Sequence, residues 1–186
     1  MPIDTNPWYY VTFLGDPRLW FSLAVIFFIA RLYSKYRKAP HFKWVNKFIL
    51  FSGFGMGAAF GFSELLKHIF QISRLCTEAL NAYCTGIGTL SFPSSHTVIS
   101  FAVFVGIFYI IRQSYRKKDN AKSYLWLWIF VFPVLVGISR VMLGVHTYLD
   151  VFGGAITGIL ITILFIEIIS RIDFLRNMWL SKKNKP

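Results

Sequence analysis

The chain has 186 residues, of which 55% are hydrophobic and 19% aromatic. Ordinary soluble domains are roughly 45–50% apolar even with glycine included, so this composition excludes a conventional soluble fold and marks an integral membrane protein. The formal net charge of +12 is carried at the edges of apolar runs, which assigns it to membrane topology and excludes nucleic acid as the partner.

Residues 1–16 hold Trp8, Tyr9, Tyr10, Val11, Phe13 and Leu14 without a basic region before an apolar stretch, so they are not read as a cleaved signal peptide. Their aromatic content suits either an interfacial segment or a partial extra span. Five apolar stretches follow, at 19–33, 48–70, 98–111, 124–138 and 148–169. Each approaches the roughly 20 apolar residues that a bilayer core demands of a helix. The fold class expected is all-α, a polytopic transmembrane bundle of five spans in one domain covering residues 1–186. Gly53, Gly55, Gly57 and Gly61 in the second span, with Gly153, Gly154 and Gly158 in the fifth, predict close helix packing within the monomer; a dimer contact is the other reading of the second-span group.

Of the 20 Lys and Arg, all but Arg18, Lys67, Arg74 and Arg140 fall between spans one and two, between spans three and four, or after span five. The positive-inside rule makes those three regions cytoplasmic, with the N-terminus outside and the C-terminus inside. The basic stretch 112–122 reads as a topology anchor, with anionic-lipid binding the other reading, and 172–180, mixing Phe174, Leu175, Met178 and Trp179 with charges, reads as an amphipathic tail. Cys76 and Cys84 share the outer loop between spans two and three, where a disulfide fits an oxidising compartment and two free thiols are the alternative.

Charge counting also puts one set of polar residues on a single face of the membrane. Lys67 and Arg74 close the second span, spaced two helical turns apart, so a continuing helix would present both from one side. Two cations so placed call for an anion, though Lys67 also has Glu64 one turn back as a partner. Pro93-Ser94-Ser95-His96 precedes the third span, as an ordinary N-cap, an anion site at a helix N-terminus, or both. Ser139-Arg140 ends the fourth span, and His146 and Asp150 begin the fifth at i,i+4 spacing. On one helical face Asp150 can accept the imidazole N–H and leave the other nitrogen of His146 free to attack. Cations, two histidines and a carboxylate together suit chemistry on phosphate.

The chain resembles the type 2 phosphatidic acid phosphatase (PAP2) family, whose pattern is K-x6-R-P, P-S-G-H and S-R-x5-H-x3-D. Here the blocks read Lys67-x6-Arg74-Leu75, Pro93-Ser94-Ser95-His96 and Ser139-Arg140-x5-His146-x3-Asp150, a motif region of 67–150. Leu75 replaces a proline, and Ser95 replaces a glycine while keeping the backbone N–H. The resemblance implies that His146 is the nucleophile, Asp150 its orienting partner and His96 the general acid and then base. It implies further that Lys67, Arg74, Ser94, Arg140 and the Ser95 N–H hold the phosphate oxygens. No metal or other cofactor enters this scheme. His41 and His68 take no part, and Glu64 is left without a catalytic assignment.

The function expected is hydrolysis of a lipid phosphomonoester or pyrophosphate at the outer leaflet of a bacterial cytoplasmic membrane. The partners are the substrate and membrane lipids, and the oligomeric state is open. Undecaprenyl pyrophosphate, phosphatidylglycerol phosphate, phosphatidic acid and lipid A fit the resemblance. The alternatives are a lipid phosphotransferase, which differs only in the acceptor, and a non-catalytic membrane protein that binds anionic lipid.

Overall fold

The computed structural model describes residues 6–37, 46–74, 90–115 and 123–183. Six α-helices account for most of them: α1 Pro7–Phe13, α2 Pro17–Tyr36, α3 Gly55–Phe70, α4 Ser95–Tyr115, α5 Val131–Met142 and α6 Tyr148–Lys183. A π-helical run, Phe48–Phe54, leads into α3, and a 3-10 run, Ser123–Phe130, leads into α5. No strand longer than the single antiparallel bridge Ser73–Leu90 occurs among the described residues.

Among the described residues four stretches are long and apolar enough to cross a membrane: Pro7–Tyr36, Phe48–Phe70, Ser95–Gln113 and Tyr148–Ile172. The fourth of the five expected spans falls on the 3-10 run Ser123–Phe130 and α5, which follow one another without a break. The polytopic helical architecture therefore matches the expectation. The first two helices start on side-chain caps. Asn6 accepts from the Trp8 N–H with Pro7 at the first helical position, and Asp16 accepts from the Arg18 N–H with Pro17 in the same place.

Residues 1–16 were compatible with an interfacial or a partial span; the structure gives a short helix over Pro7–Phe13 that packs on α5. Thr12 is its buried residue, while Tyr9, Tyr10 and Phe13 are exposed. The turn between α1 and α2 is pressed close to the bundle at Gly15, where a Cβ would stand 2.4 Å from Val136 Cγ1 and 3.2 Å from the His96 carbonyl oxygen.

Helices α3, α4 and α6 form the centre. Met56, Ala59, Val98, Ile99, Ala102 and Val103 make one buried cluster, and Phe51, Val105 and Ile166 a second. Outward faces carry Phe28, Ile29, Leu160, Ile163 and Leu164, as expected where the surroundings are hydrocarbon and association rests on close packing rather than on burial from water. At Gly158 a Cβ would lie 2.4 Å from the Val98 carbonyl oxygen, and at Gly154 2.9 Å from that of Ser94. The expected close packing therefore holds in the last helix. In the second span it holds at Gly55, whose Cβ would meet Thr162 at 3.2 Å, but Gly57 and Gly61 face open space.

Lys47 bonds Gln113, which ties the start of the second span to the end of α4. Tyr109 and Ser170 are 3.2 Å apart near the same end. Arg31, Lys35, Arg37, Lys47, Arg112 and Arg171 thus belong to one end of the bundle, and the motif residues to the other.

Gly158→Ala is expected to destabilise the protein by roughly 1–3 kcal/mol, since the obstacle is backbone that cannot rotate away. Gly57→Ala is expected to be neutral or to stabilise by up to about 1 kcal/mol through helix propensity. Thermal unfolding of the two variants in one detergent checks the contrast, and equal melting temperatures would refute it.

Candidate active site

The site is built at four helix ends. Helix α3 stops at Phe70 because Gln71 turns left-handed at φ 48° and its N–H returns to the Lys67 carbonyl at 2.8 Å, a C-terminal cap of the αL kind. The helix therefore does not continue to Arg74, and the condition under which one helix would present both Lys67 and Arg74 is not met. Arg74 lies beyond the helix, just past the bridge that pairs Ser73 with Leu90. The Ser91 N–H donates to the Ile72 carbonyl at 2.6 Å, so the returning chain enters beside the departing one. Leu75, Cys76, Cys84 and His41 lie outside the described residues, and with them the disulfide expectation.

The returning chain passes Ser91 and a cis Phe92–Pro93 peptide into α4. Ser94 is fully buried. Its N–H donates to the Asp150 carbonyl oxygen at 3.0 Å, and its hydroxyl oxygen accepts from the Thr97 hydroxyl at 3.1 Å, leaving its own hydrogen to donate elsewhere. His96 stands on the first turn of α4, within electrostatic reach of Arg140, His146, Arg74 and Lys67. His68 is exposed.

On the other side, α5 ends at Met142, and Gly144 takes φ 69° in the turn to α6. Arg140 is buried and donates from Nη1 to Thr12 Oγ1 at 2.8 Å. Ser139 is fully buried and bonds the Val136 carbonyl at 2.6 Å. Thr147 and Asp150 form a reciprocal cap at the start of α6: the Asp150 N–H donates to Thr147 Oγ1 at 3.2 Å, and the Thr147 N–H donates to Asp150 Oδ2 at 2.8 Å. The same Oδ2 accepts from Ser91 Oγ at 2.5 Å and lies 3.5 Å from His146 Nδ1. Ser91 Oγ is itself 3.4 Å from that nitrogen.

His146 is therefore held at one nitrogen only. Its side chain is 1% exposed, and its buried Nε2 has no hydrogen-bond partner among the described residues. A neutral ring with its proton on Nδ1, towards the carboxylate, leaves the Nε2 lone pair open. Burial is the largest influence on the ring and pushes it down to about 4; Asp150 opposes that shift, and Arg140 and Arg74 add to it. Burial also lowers the Arg74 guanidinium from its ordinary value, against the pull of Asp150. The buried Arg74 Nε likewise has no partner among the described residues.

Lys67 is buried. Its ammonium donates to Glu64 Oε1 at 2.7 Å and to Ser95 Oγ, and Ser95 Oγ donates to the same Glu64 oxygen at 3.3 Å. Of the eight predicted residues, the first turn of α6 carries Asp150 with His146 just before it, the start of α4 carries Ser94, Ser95 and His96, and Lys67, Arg74 and Arg140 complete the same end. Sequence reasoning missed Ser91 and Thr12. Ser91 bears no helical spacing to Asp150, and Thr12 meets Arg140 across most of the chain, so no local pattern marks either residue. No group of three or more His, Cys, Asp or Glu converges as a metal site among the described residues.

A cleft of about 770 Å³ opens beside this end between α3 and α6. Leu66, Phe70, Phe92, Phe152 and Ile156 give it apolar walls, and Ser91, His146, Thr147 and Asp150 line its polar side. Lys67, Arg74, His96 and Arg140 are not part of its wall.

A family model described as PAP2 superfamily matches residues 48–173. A curated relative, phosphatidylglycerophosphatase B of Bacillus subtilis, is 38% identical over 110 residues, which cover 54% of this chain and 54% of the relative. Bacitracin transport permease protein BcrC of Bacillus licheniformis is 36% identical over 88 residues, covering 47% of this chain and 38% of that protein. The chain thus spans about half the length, or less, of the curated relatives it matches. Among solved structures, a transmembrane PAP2 type phosphatidylglycerolphosphate phosphatase from Bacillus subtilis superposes with a TM-score of 0.67 at 26% identity, over 92% of this chain and 79% of that one.

The His146 imidazole is expected to titrate at about pH 4, below the ordinary value of roughly 6.5. Because the folded value lies below the unfolded one, the ring's contribution to stability is complete above pH ~6.5 and is lost as pH falls towards the folded value. Histidine NMR spectra of the wild type and His146→Gln identify the resonance, and a midpoint above pH ~6 would refute the expectation. Separately, Thr12→Val is expected to lower stability by roughly 1–3 kcal/mol by removing an acceptor from buried Arg140, with Thr12→Ser recovering most of it. Equal melting of Thr12→Val and the wild type would show the bond to be inconsequential.

Proposed function

The chain belongs to the PAP2 superfamily, and on that premise we propose that it is a membrane-embedded phosphatase that hydrolyses a lipid phosphomonoester or pyrophosphate through a phosphohistidine at His146. The observation that carries the reading is the buried His146 ring, faced by Asp150 at Nδ1 and without a partner at Nε2 among the described residues. A buried nitrogen acceptor left bare is costly unless an incoming group is to meet it.

In the proposed reaction the Nε2 lone pair attacks phosphorus, forming a P–N bond as the P–O bond to the leaving group breaks. His96 gives its proton to the departing oxygen, and Asp150 stabilises the positive charge that develops on the His146 ring. Lys67, Arg74 and Arg140, with the Ser94 hydroxyl and the Ser95 N–H, hold the non-bridging oxygens and balance charge in the transition state. Water then attacks the phosphohistidine, His96 takes its proton, the P–N bond breaks and inorganic phosphate leaves. These cations supply the charge stabilisation, so the scheme uses no metal.

A lipid substrate is supported by the cleft, whose apolar walls open beside exposed Phe152 and Phe70 and whose polar side reaches His146 and Asp150. Phosphatidylglycerolphosphate, the substrate of the superposed Bacillus subtilis phosphatase, joins undecaprenyl pyrophosphate, phosphatidic acid and lipid A as candidates. Basic residues collect at the end of the bundle opposite the motif, which supports a site on the outer face of a bacterial cytoplasmic membrane, with the cationic end inside.

Phosphate release by the purified protein in detergent, with chelator present, is expected from at least one of these four lipids. His146→Ala is expected to abolish release, and His96→Ala to reduce it by about 10²–10⁴-fold. A folded wild type that releases no phosphate from any of them, or a His146→Ala variant that keeps its activity, would sink the proposal.

A further inference from the structure

Lys67 is one of the proposed phosphate-binding cations, and its four-carbon stem gives it more freedom than a site of this kind tolerates. An exposed i,i+3 pair with Glu64 would do little to hold it. Here, though, the Lys67 side chain is 9% exposed, and a third group closes a triangle. Ser95 Oγ bonds the Lys67 ammonium and donates to the Glu64 oxygen that the ammonium also occupies.

Ser95 is the first residue of α4 and the immediate neighbour of His96. Through it the ammonium is tied to the α4 end of the site as well as to its own helix. A glycine at this position, as in the P-S-G-H pattern the chain resembles, has no hydroxyl with which to make the link. Glu64 also brings a negative charge to an end of the bundle that gathers Lys67, Arg74 and Arg140, while Asp150 is occupied with His146, Ser91 and Thr147.

We propose that Glu64 and Ser95 are positioning residues for Lys67, fixing its ammonium against the start of α4 so that it meets the phosphate pre-oriented. The proposal rests on the phosphatase reading above, and it assigns Glu64 a place in the site without making it a catalytic residue. Ordering a cation before the substrate arrives removes an entropic cost from the bound state, and a single acceptor at the Glu64 position is enough to do it.

Two readouts test it on the full chain in detergent. The first is kcat/KM for whichever of the four lipids the wild type hydrolyses. The second is the rate at which Lys67 is reductively methylated, followed by peptide mass spectrometry against exposed Lys35. Glu64→Ala is expected to lower kcat/KM about tenfold and to speed Lys67 methylation several-fold, by the loss of one charge-assisted bond. Glu64→Gln, which keeps an acceptor in place, is expected to retain at least about a third of wild-type kcat/KM. Ser95→Gly keeps the backbone N–H and is expected to lower kcat/KM about threefold while also exposing Lys67 to the reagent.

Unchanged kcat/KM and unchanged Lys67 methylation in a folded Glu64→Ala variant would overturn the inference. So would lost activity with Lys67 methylation unaltered, because the loss would then be structural. A wild type that hydrolyses nothing would overturn the phosphatase reading instead, and the methylation rates would still show whether the triangle holds the lysine.

Discussion

The whole site depends on how closely the first turn of α6 approaches the start of α4. The Ser94 N–H donates to the Asp150 carbonyl oxygen at 3.0 Å, so the turn that carries His96 is bonded to the turn that carries Asp150. The helices come that near because Gly154 and Gly158 present no side chain: a Cβ on either would fall within 3 Å of the backbone of this segment. Small residues at a helix crossing are the usual means of close approach in a membrane. Here the crossing also sets the spacing between the two histidines.

Polar groups at this depth are tolerated because nearly all are answered. Asp150 is the clearest example. Its Oδ2 receives Ser91 and the Thr147 N–H, and faces His146, while its backbone N–H and carbonyl are bonded to Thr147 and Ser94. One residue thus caps α6, fastens it to α4 and stands 3.5 Å from an imidazole nitrogen. Ser139 bonds its own helix and Arg140 reaches Thr12. Against that background the Nε2 of His146 and the Nε of Arg74, both bare among the described residues, are groups of this site whose partner has to come from elsewhere.

Much of this was legible in the sequence because it is local or periodic. The apolar runs are long enough to read as spans, and His146 and Asp150 share a helical face through i,i+4 spacing. What escaped was decided by tertiary geometry. A continuing helix would have set Arg74 beside Lys67, but Gln71 adopts the left-handed conformation and ends it; a glutamine there carries no signal comparable to a glycine's. The fourth apolar run is not one α-helix as its composition suggested: Ser123–Phe130 is wound as a 3-10 helix before α5 begins, a change of winding that apolar content does not mark. Gly57 and Gly61 match the small-residue spacing yet face open space, since spacing says nothing about which face meets a neighbour. Thr12 and Ser91 act through contacts with residues far along the chain, and no local pattern marks them.

The division of the site into two walls follows from the same topology. The helix ends that converge supply donors and charge, because unpaired N–H groups and long cationic side chains collect where helices stop. The flanks of α3 and α6 just below those ends carry Leu66, Phe70, Phe152 and Ile156, because they face hydrocarbon. His146 and Asp150 sit where the two meet, lining the apolar cleft while Lys67, Arg74 and Arg140 stay outside it. A molecule matched to both walls must be amphipathic, with its anionic end beyond the histidine and its apolar part along the helices. That is the shape of the lipid phosphate proposed above as substrate, and the cleft supports that proposal more strongly than the charged residues would without it.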